Sequence, residues 1–281
     1  MEPFILDHEP TIRLAAFFGI FAVMALWELA APRRRLTAAK PARWFANLAI
    51  VAINTLVIRL VFPLLAVGAA LWAAGRGWGL FNLTAAPVWL AFPASILLLD
   101  LLIYAQHVVF HKVPVLWRLH LMHHADLDID VTTGARFHPV EIVLSMAIKM
   151  AAVVALGAPA AAVVVFEVLL NATAMFNHAN ARLPVGIDRM LRLFVVTPDM
   201  HRVHHSVLRR ETDSNYGFNL PWWDRLFGTY RAQPTAGHDG MTIGLAELRD
   251  PARLTLPWML ALPVVAGAAA RREGVNDSAM G

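Results

Sequence analysis

The chain contains no cysteine, only three lysines and few charged residues overall. Without cysteine it cannot form disulfides, thiolate metal sites or cysteine nucleophiles, so any metal must be bound through nitrogen or oxygen. Charged residues make up 16% of the 281 residues and apolar residues 58%, and the mean hydropathy is +0.55. These values are too apolar for an ordinary soluble domain of this length, and they predict a protein embedded in a membrane.

The formal net charge of +4 comes mostly from arginine, and the basic residues are clustered along the chain. The segment PRRRLTAAKPARW carries Arg33, Arg34, Arg35, Lys40 and Arg43. Such clusters favour lipid headgroups over nucleic acid, and we expect no nucleic-acid partner. By the positive-inside rule this loop is cytoplasmic, which predicts that all clustered histidines lie at the cytoplasmic face.

Apolar runs predict the membrane spans, because a helix needs roughly 20 predominantly apolar residues to cross a bilayer. The runs are Ile12 to Ala31, Trp44 to Ala74, Pro87 to Gln106, and Val140 to Asn177. The last is long enough for a helical hairpin that bends at the sequence GAP, residues 157–159. A weaker run, Leu254 to Ala270, fits a span, an interfacial helix or part of a packed domain. The expected fold class is therefore an all-α polytopic membrane protein with about four to five transmembrane helices.

Eight of the twelve histidines recur at helical spacing. They are His107 and His111 in HVVFH, His120, His123 and His124 in HLMHH, and His201, His204 and His205 in HRVHH. Positions i, i+3 and i+4 share one face of a helix. Several imidazoles side by side without a shared partner would be costly to bury, whereas coordination of a metal removes that cost. Eight such ligands exceed the need of one transition ion and suit two, without identifying the metal.

Other classes of metal protein fit less well. The HExxH motif of metalloproteases is absent, so there is no adjacent glutamate to act as general base in peptide hydrolysis. A haem electron carrier needs one axial histidine from each of two helices, which leaves the triplets without a role. A divalent-metal transporter would place its histidines near the middle of the spans, but here they follow the spans. Both of these alternatives stay open.

The motifs occur in an order that resembles a known family. Asp100 is followed by HVVFH, WRLHLMHH, TTGARFHPVE, FNHAN, PDMHRVHH and NYGFNLPWWDRLFGTY. From about Leu99 to Tyr230 this pattern is similar to the fatty acid hydroxylase superfamily, which includes sterol desaturases, C-4 methylsterol oxidases and alkylglycerol monooxygenase. The most similar group is the bacterial sterol desaturase family.

The resemblance implies a membrane-bound non-haem di-iron oxygenase that uses O2 to hydroxylate or desaturate an unactivated C–H bond of a lipid, sterol or fatty-acyl substrate. Electrons would come from a separate ferredoxin- or cytochrome-type partner with its reductase, because the chain lacks a dinucleotide-binding fingerprint and cysteines for an iron–sulfur cluster. The expected location is the bacterial cytoplasmic membrane. The implied domains are N-terminal transmembrane helices at 1–98, the histidine-box catalytic region with its hairpin at 99–230, and a C-terminal segment at 231–281.

The resemblance also implies the metal ligands. These are the eight clustered histidines and His178 in FNHAN. The alternative role for His178 is to form a hydrogen bond at the end of a helix. His138 in RFHPVE fits either a ligand or a residue that supports a ligand, and the nearby Glu141 suits the start of the next helix. Asp100 could orient an imidazole or pair with Arg59.

A few polar and aromatic residues are assigned more ordinary roles. The sequence DLDID, with Asp126, Asp128 and Asp130, is interpreted as a solvated loop rather than a site for a hard cation. His8 and His238 are expected at the surface. The aromatic side chains Trp222, Trp223 and Tyr230 suit membrane anchoring better than the lining of a substrate channel.

Overall fold

The computed structural model describes residues 2–265, and its regular elements there are helices without strands, with isolated bridges joining Pro32 to Ala181 and Ser206 to Ile243. The helices up to residue 112 are α1 (Glu2–Asp7), α2 (Glu9–Ala30), α3 (Lys40–Val61), α4 (Ala66–Gly75), α5 (Leu80–Leu83) and α6 (Val88–Lys112). Those that follow are α7 (Pro114–His124), α8 (Pro139–Leu156), α9 (Ala160–Asn177), α10 (Val185–Leu191), α11 (Pro198–His204), α12 (Arg209–Thr212), α13 (Trp222–Leu226), α14 (Gly237–Gly240) and α15 (Leu256–Val265). The prediction of an all-α protein is confirmed for this part of the chain.

Within residues 2–265, five helical segments are long and apolar enough to cross a membrane. They are α2, the stretch Lys40–Leu83, α6, α8 and α9. This count agrees with the predicted four to five spans. The assignment rests on length and composition.

The second predicted span is not one straight helix. Helix α3 ends at Val61, and α4 begins at Ala66. Pro63 lies in the gap, and Phe62 before it has the extended conformation (φ −111°, ψ 114°) that a following proline favours. The side chain of Arg59 in α3 is exposed. The chain therefore crosses this region as two helices joined at a bend.

Helices α8 and α9 form the predicted hairpin, and its bend lies at Gly157. This residue ends α8 in the left-handed conformation with φ 63°, which glycine adopts without strain. A Cβ atom there would lie 2.7 Å from Nδ2 of Asn82 and 2.8 Å from the carbonyl oxygen of Trp78. The segment after α4 therefore packs closely on the tip of the hairpin, at the end opposite the histidines.

Helix α9 lies at the centre of the bundle and packs against α2, α4 and α6. Its buried side chains include Val163 and Phe166, which pack with Leu99 of α6 in one apolar cluster. Glu167 is also buried in α9 and pairs with Arg13 of α2 at 2.6 Å and with Lys149 of α8. Charges within the candidate spans thus neutralise one another inside the protein, as burial away from water requires.

The last described helix, α15, covers part of the weak apolar run from Leu254 to Ala270, of which residues 266–270 lie outside the described part. Met259 and Leu262 are buried against Ala46, Ile50 and Met122. The described part of this helix is ten residues long, from 256 to 265. Its described part belongs to a packed core over α3 and α7.

Candidate metal centre

Four elements bring histidines together at one end of the bundle. Helix α7 turns back on α6 directly after Val113, so that the histidines of the two helices face each other. Helix α9 delivers His178 as its C-terminal cap. Helix α11 packs against the end of α9 and contributes the third group of imidazoles.

The histidines form two adjacent groups of potential metal ligands. In each group, one ligand atom per residue lies within 4.8 Å of all the others. The five-histidine group consists of His107, His111, His120, His124 and His204. The four-histidine group consists of His123, His178, His201 and His205. These are the nine residues predicted as ligands, and all of them are buried.

Short distances between imidazoles show how tightly the groups are built. The Nε2 atoms of His107 and His120 are 3.1 Å apart in the five-histidine group. In the four-histidine group, Nε2 of His178 lies 3.1 Å from Nε2 of His123 and 3.1 Å from Nε2 of His201. Several ring nitrogens thus converge on each of two small volumes.

Outward hydrogen bonds orient three of these rings. Nδ1 of His107 donates to the carbonyl oxygen of Tyr216, Nδ1 of His178 to that of Ala174, and Nδ1 of His204 to that of Ser214, each at 2.7 Å. A carbonyl oxygen can only accept, so each Nδ1 carries the proton. The lone pair then lies on Nε2, which faces the group and is free to bind a metal.

Glu141 supports a fourth ring, a role that sequence reasoning did not assign. Its Oε1 accepts a 2.7 Å hydrogen bond from Nδ1 of His120, and both side chains are buried. The carboxylate lies in the first turn of α8, which begins at Pro139. The only signal in the sequence was the acidic residue at a predicted helix start. A carboxylate behind a ligating imidazole fixes the ring and increases its basicity.

Burial keeps the imidazoles uncharged. It lowers the pKa of His120 and that of His178 to about 3. Burial, and then the neighbouring imidazoles, hold the pKa values of His123, His124, His201, His204 and His205 well below the usual value. These rings are therefore neutral at neutral pH, the state in which imidazole binds metal.

Several ring nitrogens make no hydrogen bond within the described part of the chain. Nε2 of His124, of His204 and of His205 is buried without a hydrogen bond among the described residues, and so are both ring nitrogens of His111. Buried polar atoms are rarely left without a partner. Neutral nitrogen donors in two compact groups therefore fit a pair of transition-metal ions.

Asp100 and His138 lie outside both groups. Oδ2 of Asp100 accepts from the indole Nε1 of Trp223 at 2.8 Å and from the amide of Leu220 at 3.3 Å, so the expected imidazole and Arg59 are not its partners. His138 caps α8 by accepting from the amide of Val140 at 3.2 Å. Its Nε2 lies 3.3 Å from the carbonyl oxygen of Leu260. Both side chains thus stabilise the local fold, Asp100 through the segment after Phe218 and His138 through a helix end.

The prediction of a solvated DLDID loop is wrong, because all three carboxylates are buried. The buried guanidinium of Arg43 binds Asp126 and Asp130, each at 2.7 Å. Asp128 accepts from the amides of Thr37 and Ala38, each at 2.8 Å. Burial opposes ionisation of Asp126, but the arginines outweigh it and hold its pKa at about 2. The loop therefore ties α3 to the end of α7 through Arg43. The guanidinium of Arg43 occupies the position between these carboxylates that a metal cation would otherwise take.

His8 is exposed as predicted, whereas the prediction that His238 lies at the surface is wrong. Burial lowers the pKa of His238 to about 4, although its Nε2 lies 3.7 Å from Oδ2 of Asp199. Asp199 also binds Arg33 at 3.1 Å and the adjacent Arg202. The basic loop after α2 thus meets α11 and the C-terminal segment beside the four-histidine group.

The fold and the site together define a helical protein with five candidate membrane spans and two buried histidine groups that could hold metal. The family model described as fatty acid hydroxylase matches residues 92–229, a range that contains all nine histidines. Residues 92–229 therefore form a fatty acid hydroxylase domain, as the motifs predicted.

Three relatives of known name illustrate the family. An ornithine lipid hydroxylase from Rhizobium tropici is 32% identical over 132 residues, which cover 47% of this chain and 39% of the relative. Alkylglycerol monooxygenase from Homo sapiens is 31% identical over 158 residues, 56% of this chain and 34% of the relative. A very-long-chain aldehyde decarbonylase from Oryza sativa subsp. indica is 30% identical over 158 residues, 53% of this chain and 25% of the relative.

The matched part thus spans less than two fifths of each of these relatives. No solved structure matches the chain significantly. The relatives are named as an ornithine lipid hydroxylase, an alkylglycerol monooxygenase and a very-long-chain aldehyde decarbonylase.

Proposed function

We propose that the protein is a membrane-bound non-haem di-iron oxygenase that uses O2 to hydroxylate or desaturate an unactivated C–H bond of a lipid, sterol or fatty-acyl substrate. One observation carries the proposal. Nine buried histidines form two adjacent groups of neutral nitrogen donors within a fatty acid hydroxylase domain, at the end of a bundle of membrane-length helices.

The five-histidine group would hold one iron and the four-histidine group the other. Two irons bound there would supply the oxidant for the C–H bond. Hydroxylation of R–H consumes one O2, two electrons and two protons and yields R–OH and water. The electrons come from a separate ferredoxin- or cytochrome-type donor with its reductase, because no dinucleotide fingerprint or cysteine cluster is found in the sequence.

Two phenylalanines line the histidine groups and keep water away from them. The ring of Phe137 stacks on His123 with centroids 4.5 Å apart, and that of Phe218 lies 5.2 Å from His107 and 5.8 Å from His201. The two phenylalanine rings are 6.5 Å apart. Such an apolar wall suits an alkyl chain that enters between the spans, where burial fixes which carbon meets the metals.

The relatives support a lipid as substrate. Their names specify an ornithine lipid, an alkylglycerol and a very-long-chain aldehyde, which share a long apolar chain and differ in the polar group. We infer a substrate of that class for this chain. Residues 99–230 would form the catalytic region between the N-terminal spans (1–98) and a C-terminal segment (231–281), with the site facing the cytoplasm of a bacterial cell.

Metal content and labelled oxygen test the proposal together. Purified, metallated protein should contain about two irons per chain, one for each histidine group. Cells that express the gene under 18O2 should contain a labelled lipid that a deletion strain lacks; a lost double bond without label would indicate desaturation. His201→Ala should lower iron content and abolish the product, whereas His8→Ala, which changes an exposed histidine, should do neither.

Other results would overturn the proposal. A metallated protein with one iron or none contradicts a di-iron site. A Soret band would indicate a haem carrier instead. Metal uptake by proteoliposomes that His201→Ala abolishes, without any change in cellular lipids, would indicate a transporter.

A further inference from the structure

Two short helices outside the candidate spans expose an unusual number of large apolar side chains. On α10 and the residues after it, Val185 is 74% exposed, Met190 56% and Phe194 63%. On and just after α13, Leu226 is 69% exposed and Phe227 56%. Contiguous apolar surface of this kind on a folded protein marks a site of contact with a membrane or another molecule.

The two helices form one surface. The indole Nε1 of Trp222, at the start of α13, donates to the carbonyl oxygen of Leu193 at 2.6 Å. The guanidinium of Arg225 donates to the carbonyl oxygen of Arg192 at 3.2 Å. We call α10, α13 and the residues that follow each of them the interfacial surface.

This surface adjoins a candidate span at the end nearest the histidines. Trp223 of α13 donates to Asp100 in α6 at 2.8 Å. The ring of Phe227 stacks on that of Tyr104 in the same helix, with centroids 5.5 Å apart. The exposed side chains of α13 therefore lie beside α6. If α6 spans a bilayer, they lie close to the membrane surface.

Charge on the interfacial surface has one sign. Both carboxylates are turned inward, Asp188 to Arg192 and Thr197, and Asp224 to the amides of Tyr216 and Gly217. Two arginines of these segments, Arg189 and Arg225, are exposed, and so is Arg182, three residues before α10. Apolar side chains flanked by exposed arginines complement a layer of anionic lipid headgroups.

We propose that the interfacial surface inserts into the headgroup layer of the leaflet at the metal-centre end of the bundle. Its apolar side chains enter the acyl boundary, and Arg182, Arg189 and Arg225 bind anionic headgroups. Helices that lie in the plane of a membrane are held in this way by apolar burial and by attraction to anionic lipid. The proposal depends on the placement of α6 in a membrane and not on the iron chemistry, so the two can fail separately.

The depth of single labels tests this placement. The chain has no native cysteine, so Leu193→Cys or Leu226→Cys can each carry one environment-sensitive NBD group in the full-length protein in nanodiscs. Arg209→Cys is the matched control, because its side chain is 87% exposed and pairs with Asp213, which also binds Lys112 at the end of α6. The native residues at 193 and 226 are 54% and 69% exposed, so a label there displaces no core side chain.

Labels at 193 and 226 should have blue-shifted emission and be quenched by nitroxide lipid, whereas the label at 209 should be quenched by aqueous iodide. Iodide quenching at all three positions would overturn the proposal. Protection from both quenchers at 193 and 226 would overturn it as well, since it would indicate cover by a second copy or another protein.

A second measurement tests the charge. In nanodiscs with about a third anionic lipid, the quenching of the 226 label by nitroxide lipid should exceed that in purely zwitterionic nanodiscs. The double variant Arg182→Gln and Arg189→Gln should reduce this difference at least twofold, whereas Arg209→Gln should leave it unchanged. Equal quenching in both lipids with the arginines intact would remove the headgroup contact from the proposal.

Discussion

Glu141 is the residue whose role beside the histidines is easiest to isolate. It is buried and accepts a hydrogen bond from His120 at 2.7 Å. Glu141→Gln keeps an acceptor but removes the charge that increases the basicity of the ring. We expect about a 10- to 100-fold loss of affinity at the five-histidine group, as is usual when such a partner is changed, with the fold intact.

Competition with a chelator measures this loss. One metal per chain should leave Glu141→Gln at a lower chelator concentration than it leaves the wild type, while the metal of the four-histidine group is retained. Glu247→Gln, a change at an exposed carboxylate, serves as control. If Glu141→Gln lost its metal at the same chelator concentration as the wild type and Glu247→Gln, Glu141 would only be a structural partner of His120.

Residue spacing predicted the gathering of the histidines well and the state of single polar residues poorly. Periodicity along a helix places side chains on one face, so the clusters could be read from local sequence. Whether His138 caps a helix, whether His238 is buried, and where Asp100 finds its donors all depend on segments far away in the chain. The DLDID loop shows the same limit, because its partner Arg43 lies more than eighty residues earlier.

At the scale of elements, the close approach of Gly134 to α9 positions one of the proposed ligands. A Cβ at this glycine would lie 2.6 Å from the carbonyl oxygen of Ala174, which accepts the hydrogen bond of His178, and 3.2 Å from Nδ1 of His178 itself. Gly134→Ala should push the end of α9 away and displace His178. We therefore expect the metal content to fall from about two to about one per chain.

Metal analysis of the purified variant checks this expectation. Gly186→Ala is the matched control, because nothing lies within 4 Å of a Cβ at Gly186. Thermal unfolding should show that Gly134→Ala remains folded, with a lower Tm. Full metal content in this variant would mean that the helix end yields without moving the imidazole.

Helix boundaries show which features of the elements could be predicted. Apolar runs located all five candidate spans, and the GAP sequence located the hairpin bend, because both signals are local. The break between α3 and α4 was missed, although Pro63 marks it, because the run stays apolar on both sides. The packing of α15 over α3 and α7 could not be predicted, since a short apolar helix suits either a membrane or a core.

On the scale of the whole molecule, the loop after α2 and the segment around His238 meet beside α11. Burial lowers the pKa of His238 to about 4 from the usual 6.5, so the folded protein favours the neutral ring. The unfolded chain takes up a proton at a higher pH. This contribution to stability is complete above pH 6.5 and is lost progressively as the pH falls towards 4.

His238→Asn removes this titration. The Tm of the wild type should fall between pH 7 and pH 5 by more than that of the variant, whereas the exposed His8→Asn should behave like the wild type. Comparison of the variants separates His238 from other groups that titrate in the same range. An equal fall in Tm for all three proteins would show that His238 ionises freely in the folded state.

The two histidine groups also bear on how the chain folds. Each group joins ligands from α7 and from α11 or its C-terminal cap with two from α6 or one from the end of α9. A bound ion would therefore cross-link segments separated by up to about a hundred residues. Closing loops of that length restricts the denatured ensemble strongly. Metal that binds only the native arrangement lends its binding free energy to folding. Iron supply during synthesis would then govern how much of the protein survives proteolysis in the cell, in addition to how much of it is active.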